Sequence, residues 1–243
     1  MAVNKVIKDN TTLIDLTGDT AVASDVAQGK TFHLADGTIA TGSAVPATDR
    51  LVPFLNNSLT TLDLTGVTRI DDYACYYKTA LTSINAPDAL AVGDHAFYAC
   101  TALVTLNLPL ATVVSYWSLC SCGFTSISLP SIEQVYPAAF NSCGNATRIT
   151  LGSSLNRIRT YDDGNQAPFL ACNSLEELVI NATTPPTLQA ARLFSNTDSG
   201  LGNMSNFRGI FVPDSENDEV LNLYKNSSNW SAYANYIFSQ NDL

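Results

Sequence analysis

The amino-acid sequence predicts a repeat solenoid, mainly β with short parallel strands and turns, joined to a small N-terminal α+β module. Three observations lead there. A short alternating motif recurs at nearly constant spacing, a second set of apolar positions follows it at fixed distance, and residues 1–45 fit neither pattern.

The motif reads LTTLDLT (59–65), LTSINAP (81–87), LVTLNLP (103–109), FTSISLP (124–130), ATRITLG (146–152) and LEELVIN (175–181). Its inward-facing residues are Leu62, Ile84, Leu106, Ile127, Ile149 and Leu178, spaced by 22, 22, 21, 22 and 29. Alternation of this kind marks a half-buried strand. One such strand per repeat stacks into a parallel sheet. The other half of each repeat carries a β-branched residue (Ile70, Val92, Val114, Val135, Ile158) and then an apolar slot (Cys75, Phe97, Leu119, Phe140, Phe169). Three residues beyond that slot stand Lys78, Cys100, Cys122, Cys143 and Cys172. This half returns the chain by one strand spacing, and its apolar residues fill a core that no single repeat can close.

The pattern apolar-x-x-I-x-L-P, then V/I-x-x-x-A-F-x-x-C, resembles the BspA-like (Treponema-type) leucine-rich repeat over about residues 50–238. The resemblance implies a leucine-rich-repeat solenoid, and a place among surface proteins, adhesins and phage-borne proteins. The first full repeat departs from the pattern, with Cys75 and Lys78 in the Phe and Cys slots. Before it, LVPFLNNSL (51–59) offers Phe54 and Asn57 as a capping half repeat. At the other end, GIFVP (209–213) reads as a last strand. Val220, Leu223 and Tyr224 then fall at helical spacing, as do Trp230, Tyr233 and Ile237, in a cap of about residues 209–243. The solenoid domain thus spans 46–243.

Within residues 1–45, TLIDLT (12–17) reads as a strand, and Ser24 to Gly29 as a brief helix. TFHL (31–34) and TIAT (38–41) flank Asp36-Gly37, a hairpin signal. The run Leu13 to Thr17, Asp19, Thr20, Gly29, Lys30, Thr31, His33, Gly37, Ile39 and Gly42 resembles an N-terminal module of phage tail and other virion structural proteins, with Phe32 where Ala is usual. That resemblance implies virion structural proteins as partners. It also accounts for an N-terminus without a signal-peptide stretch.

The net charge of −10 argues against a nucleic-acid partner, because phosphate binding needs a basic face. No run of about 18 apolar residues is present, so no membrane insertion is expected. No nucleophile elbow, metalloprotease helix or phosphate loop appears, and the expectation is a protein that is not an enzyme and carries no cofactor. The four slot cysteines read as buried thiols, with Cys120 partly exposed. His33 and His95 lack partners at ligand spacing, so no metal site is expected.

Two features point to binding. Tyr73, His95 and Trp117 stand two residues before the apolar slot, and Tyr76 and Tyr98 just after it, so they form either an outward aromatic strip or partly buried spacers. The one-residue deficit of the third repeat decides whether Trp117 belongs to its row. The insertion at 159–168, with Tyr161, Asp162 and Asp163, reads as a projecting loop. The functional expectation is a virion-associated binding protein that presents the solenoid to a host-surface protein or glycan. The alternative is a bacterial cell-surface adhesin. A homo-oligomer remains open in either case.

Overall fold

The computed structural model describes residues 5–8, 11–15, 31–33, 39–41, 50–51, 58–160, 166–195, 201 and 204–243. The chain divides into two compact units, Met1–Asp49 and Arg50–Leu243.

In the first unit, β1 (Lys5–Lys8) pairs antiparallel with β2 (Thr11–Asp15), and β3 (Thr31–His33) pairs antiparallel with β4 (Ile39–Thr41). The strand expected at 12–17 corresponds to β2, and the expected hairpin to β3 and β4. Strand β1 was not foreseen. The helix expected from Ser24 to Gly29 lies outside the described residues.

In the second unit each repeat gives one strand to each of two parallel stacks. The first stack begins with β6 (Thr61–Asp63), β8 (Ser83–Asn85) and β10 (Thr105–Asn107). It resumes with β12 (Ser126–Leu129), β14 (Arg148–Leu151), β16 (Glu177–Ile180) and β18 (Gly209–Val212). Leu62, Ile84 and Leu106 face one another in register, as do Ile127, Ile149, Leu178 and Ile210.

The second stack consists of two-residue strands. In order they are β5 (Arg50–Leu51), β7 (Arg69–Ile70), β9 (Ala91–Val92), β11 (Val113–Val114), β13 (Gln134–Val135), β15 (Arg157–Ile158) and β17 (Thr187–Leu188). The β-branched row of the sequence is therefore itself a strand ladder, where one strand per repeat was expected. Ile70, Val92, Val114, Val135 and Ile158 are all fully buried. Leu51 opens this ladder opposite Ile70. Phe54 and Asn57 lie outside the described residues.

The apolar slots fill as the repeat requires. Phe97, Leu119, Phe140 and Phe169 have no exposed surface, and the rings of Phe140 and Phe169 stack at 5.4 Å. Each slot cysteine does one defined thing: its thiol donates to the slot carbonyl of the preceding repeat. Cys100 reaches Cys75 O at 3.1 Å, Cys122 reaches Phe97 O at 3.3 Å, Cys143 reaches Leu119 O at 3.0 Å and Cys172 reaches Phe140 O at 3.0 Å. Burial pushes the Cys100 and Cys172 thiols up to about 12, and they stay protonated donors. Cys120 corrects an expectation. It is 1% exposed rather than partly open, and burial raises its thiol to about 11.

The first stack is interrupted once. At the regular steps, two consecutive N–H groups donate to one carbonyl of the preceding repeat: Thr82 and Ser83 to Thr60, Val104 and Thr105 to Thr82, Thr147 and Arg148 to Thr125, Glu176 and Glu177 to Thr147. The corresponding bonds from Thr125 and Ser126 to Val104 are missing, and β10 does not pair with β12. The sequence explains the break. Three residues carry the chain from Cys100 to Leu103 and from Cys143 to Ala146, but only two from Cys122 to Phe124. This short turn is where the deficit of the third repeat falls. It draws Gly123 so close to the preceding turn that a side chain there would meet Thr101 O at 2.2 Å. The second stack runs on past the break, through Val113–Gln134 and Val114–Val135.

The C-terminal segment covers the last repeat. Helix α1 (Glu219–Asn226) agrees with the spacing of Val220 and Tyr224. Ile237, however, belongs to a further strand, β19 (Ile237–Ser239), parallel to β18, and not to a helix. Tyr224, Trp230 and Tyr233 are buried and anchored by hydrogen bonds. The Tyr224 hydroxyl donates to Ala182 O, the Trp230 Nε1–H donates to Pro186 O, and the Tyr233 hydroxyl accepts from the Leu193 N–H.

Candidate functional site

After β7, β9, β11 and β13 the chain makes a tight turn around the apolar slot, and its backbone enters the left-handed region twice, two residues before the slot and two after it. After β15 it does so once, two residues after the slot. The first row is Tyr73, His95, Trp117 and Ala138, at φ of 59°, 54°, 54° and 55°. The second is Tyr77, Ala99, Ser121, Ser142 and Ala171. These turns are bound to one another from repeat to repeat. The Tyr73 N–H donates to Asp94 O, the His95 N–H to Tyr116 O and the Trp117 N–H to Pro137 O, at 2.9, 2.9 and 3.3 Å. Side chains at equivalent positions are thereby held one repeat apart.

The rings consequently stack. Tyr73 and His95 lie 4.9 Å apart and His95 and Trp117 6.3 Å apart, both pairs within 10° of parallel. Tyr76 stacks on Tyr98 at 5.2 Å. The two rows touch edge to face, Tyr73 against Tyr76 at 5.4 Å. Five of the sequence-selected residues thus form one surface, and Trp117 keeps its row because the missing residue falls after it. Two members were missed in the sequence. Tyr77 meets Tyr76 at 4.7 Å and Tyr116 meets Trp117 at 5.9 Å, and only their adjacency to row members could have signalled them. Exposure is graded along the strip. Tyr73 and Tyr77 are 48% and 54% exposed, whereas His95, Tyr98, Tyr116 and Trp117 are half-buried.

A second row runs beside the first. The Asp72 carboxylate accepts from the Asp94 N–H at 2.8 Å, and the Asp94 carboxylate from the Tyr116 N–H at 3.2 Å. These side chains fix the turn and bring two negative charges near His95. Burial nonetheless holds the imidazole below its ordinary pKa, against the pull of Asp94 and Asp72. Its Nδ1 is buried without a hydrogen-bond partner.

Backbone preference does not select these aromatics. A left-handed residue with a side chain costs roughly 1–2 kcal/mol, which glycine avoids. Three rings of one row nonetheless stand at left-handed positions, and there they stack on one another.

Tyr161, Asp162 and Asp163 of the insertion lie outside the described residues. Just before them, the Arg159 guanidinium sits 4.4 Å over the Tyr136 ring. Among the described residues no three His, Cys, Asp or Glu side chains gather as a metal site, and no helix is long and apolar enough to cross a membrane.

Comparison with known proteins gives two positive findings. The BspA type leucine rich repeat region matches residues 68–199 in six copies. Among solved structures, the pneumococcal vaccine antigen PcpA is similar, with a TM-score of 0.59 and 14% identity. That match covers 84% of this chain and 46% of the other, so the chain spans less than half the length of that antigen. No curated protein matches by sequence.

Proposed function

Because the chain belongs to the BspA-type leucine-rich-repeat family, we propose that it is a non-enzymatic binding protein, a solenoid presenting the Tyr73–Trp117 strip to a protein or glycan partner. The observation that carries this reading is the strip itself: stacked rings, exposed at one end, at backbone positions that disfavour side chains. Contiguous aromatic surface rimmed by polar groups is typical of contact sites.

The strip's role is separable from the fold. In Tyr73→Gly/Tyr77→Gly, relief of two left-handed residues offsets the lost ring contacts, which are worth about 0.5–1.5 kcal/mol each. Its stability should stay within about 1 kcal/mol of the parent while binding falls at least about tenfold. Glycan and protein arrays probed with both proteins check this. Ligands bound equally by parent and variant would remove the strip from the function.

The N-terminal resemblance supports carriage on a virion, with residues 1–45 attached to tail or capsid proteins and the solenoid displayed to the host surface. Membership of the BspA-type family supports a second reading equally well, a bacterial surface adhesin. Mass spectrometry of purified particles against washed cell envelopes separates the two. Stoichiometric recovery with virion proteins supports the first, and recovery on envelopes alone the second.

A further inference from the structure

The interrupted step between β10 and β12 exposes what the other repeats hide. Strands β10 and β12 do not pair, whereas the other neighbours of this stack do, at the usual spacing of about 4.8 Å. Between them lies an open depression of about 490 Å³, lined by Val104 to Asn107, Ser126 to Ser128, Arg148 and Thr150. That volume is within the range of about 300–1,000 Å³ usual for ligand sites.

Three properties define what fits. First, both walls are strand edges whose hydrogen-bonding groups have no protein partner among the described residues, including the N–H groups of Thr125 and Ser126 and the carbonyl of Val104. Such edges are templates for another strand. Second, part of the lining is apolar: Leu106 is half-buried where the equivalent Ile84 and Ile149 are fully covered, and an exposed Val104 stands where the neighbouring repeats carry exposed Thr82 and Thr125. Third, an amide ladder stops at the break. The Asn85 side chain donates to Asp63 at 3.1 Å and the Asn107 side chain to Asn85 at 2.8 Å, while no donor from β12 reaches the Asn107 side-chain oxygen. A sugar or small molecule cannot satisfy two facing edges at strand spacing; an extended polypeptide can.

We propose that this gap is a strand-accepting slot for an extended segment of a partner protein. The segment reads Ser/Thr, aliphatic, Asn, aliphatic, with the aliphatic residues covering Leu106 and Ile127 and the Asn continuing the ladder from Asn107. It lies parallel to β10 and β12. The slot is separate from the aromatic strip and does not depend on its role.

The test uses the full chain and a fluorescent peptide copying residues 80–87, the chain's own version of this strand. Saturable binding is expected, absent for a shuffled peptide and weakened by Asn85→Ala within the peptide. Bound peptide should slow hydrogen exchange at Thr125 and Ser126. Inserting one Asn between Cys122 and Gly123 restores the regular turn, closes the ladder and should lower affinity at least about tenfold. Because that variant could misfold, Val104→Asp provides a second one at an exposed position, with the same expected loss. Equal binding of the shuffled peptide, or undiminished binding by folded variants, overturns the proposal. Sedimentation showing copies that pair through the slot without taking up peptide would overturn it in favour of self-association.

Discussion

At the scale of single residues the strip poses an electrostatic question centred on His95. Burial between Tyr73 and Trp117 lowers the pKa of its imidazole, outweighing the opposite pull of Asp94 and Asp72. The folded pKa lies below the unfolded one, so the unfolded chain takes up the proton first. His95 therefore contributes full stability above about pH 6.5 and loses it as pH falls through the folded value. The melting temperature of the parent should drop more steeply between pH 7 and 5 than that of His95→Phe, which keeps the ring and has no proton to gain. Parallel curves for the two proteins would show that the environment of His95 is more solvated than its buried Nδ1 indicates. The rows Tyr73–His95–Trp117 and Tyr76–Tyr98 were legible because a 22-residue spacing places equivalent residues side by side. The left-handed backbone of Tyr73, His95 and Trp117 was not, since Tyr, His and Trp carry no signal for positive φ as glycine does.

Among the elements, those with strong alternation were the ones the sequence revealed. Leu62, Ile84 and Leu106 sit where the period put them, in register across β6, β8 and β10. The second stack escaped notice because a two-residue strand such as Val113–Val114 is too short to alternate. The break between β10 and β12 was hidden for another reason. A period of 21 shows that a residue is missing, but only the comparison of Cys122–Phe124 with Cys100–Leu103 shows where. Strand β19 is not legible as a strand because Ile237 follows Tyr233 by four residues, a spacing that helix and turn share. The cap's task is to close a core that repeats alone leave open. Trp230 is 1% exposed, bound to Pro186 O and packed on Tyr224 at 5.2 Å. Trp230→Ala should therefore cost about 3–5 kcal/mol and show itself as a lowered denaturant midpoint. A cost near zero would mean that the last repeat is closed by something other than this segment.

For the whole molecule, the division at Asp49–Arg50 separates two kinds of construction. Strands β1 with β2 and β3 with β4 pair antiparallel over short range, whereas the described strands from Arg50 onward pair in parallel with a neighbour. In the stacked unit, stability is close to a sum of repeat and neighbour terms. The first of those terms, Leu51 on Ile70, lies inside that unit. A chain beginning at residue 50 thus contains every ladder that holds its repeats together, and it should unfold cooperatively with a denaturant midpoint close to that of the full chain. If residues 1–49 serve attachment, this shortened chain keeps the binding lost in Tyr73→Gly/Tyr77→Gly but no longer associates with particles. Retention on particles without residues 1–49 would move the attachment surface onto the repeats and remove the N-terminal resemblance from the argument. A shortened chain that cannot fold would mean that the ladders starting at Leu51 do not suffice for stability, and the attachment role of residues 1–49 would then be tested by point substitutions in β2 and β3.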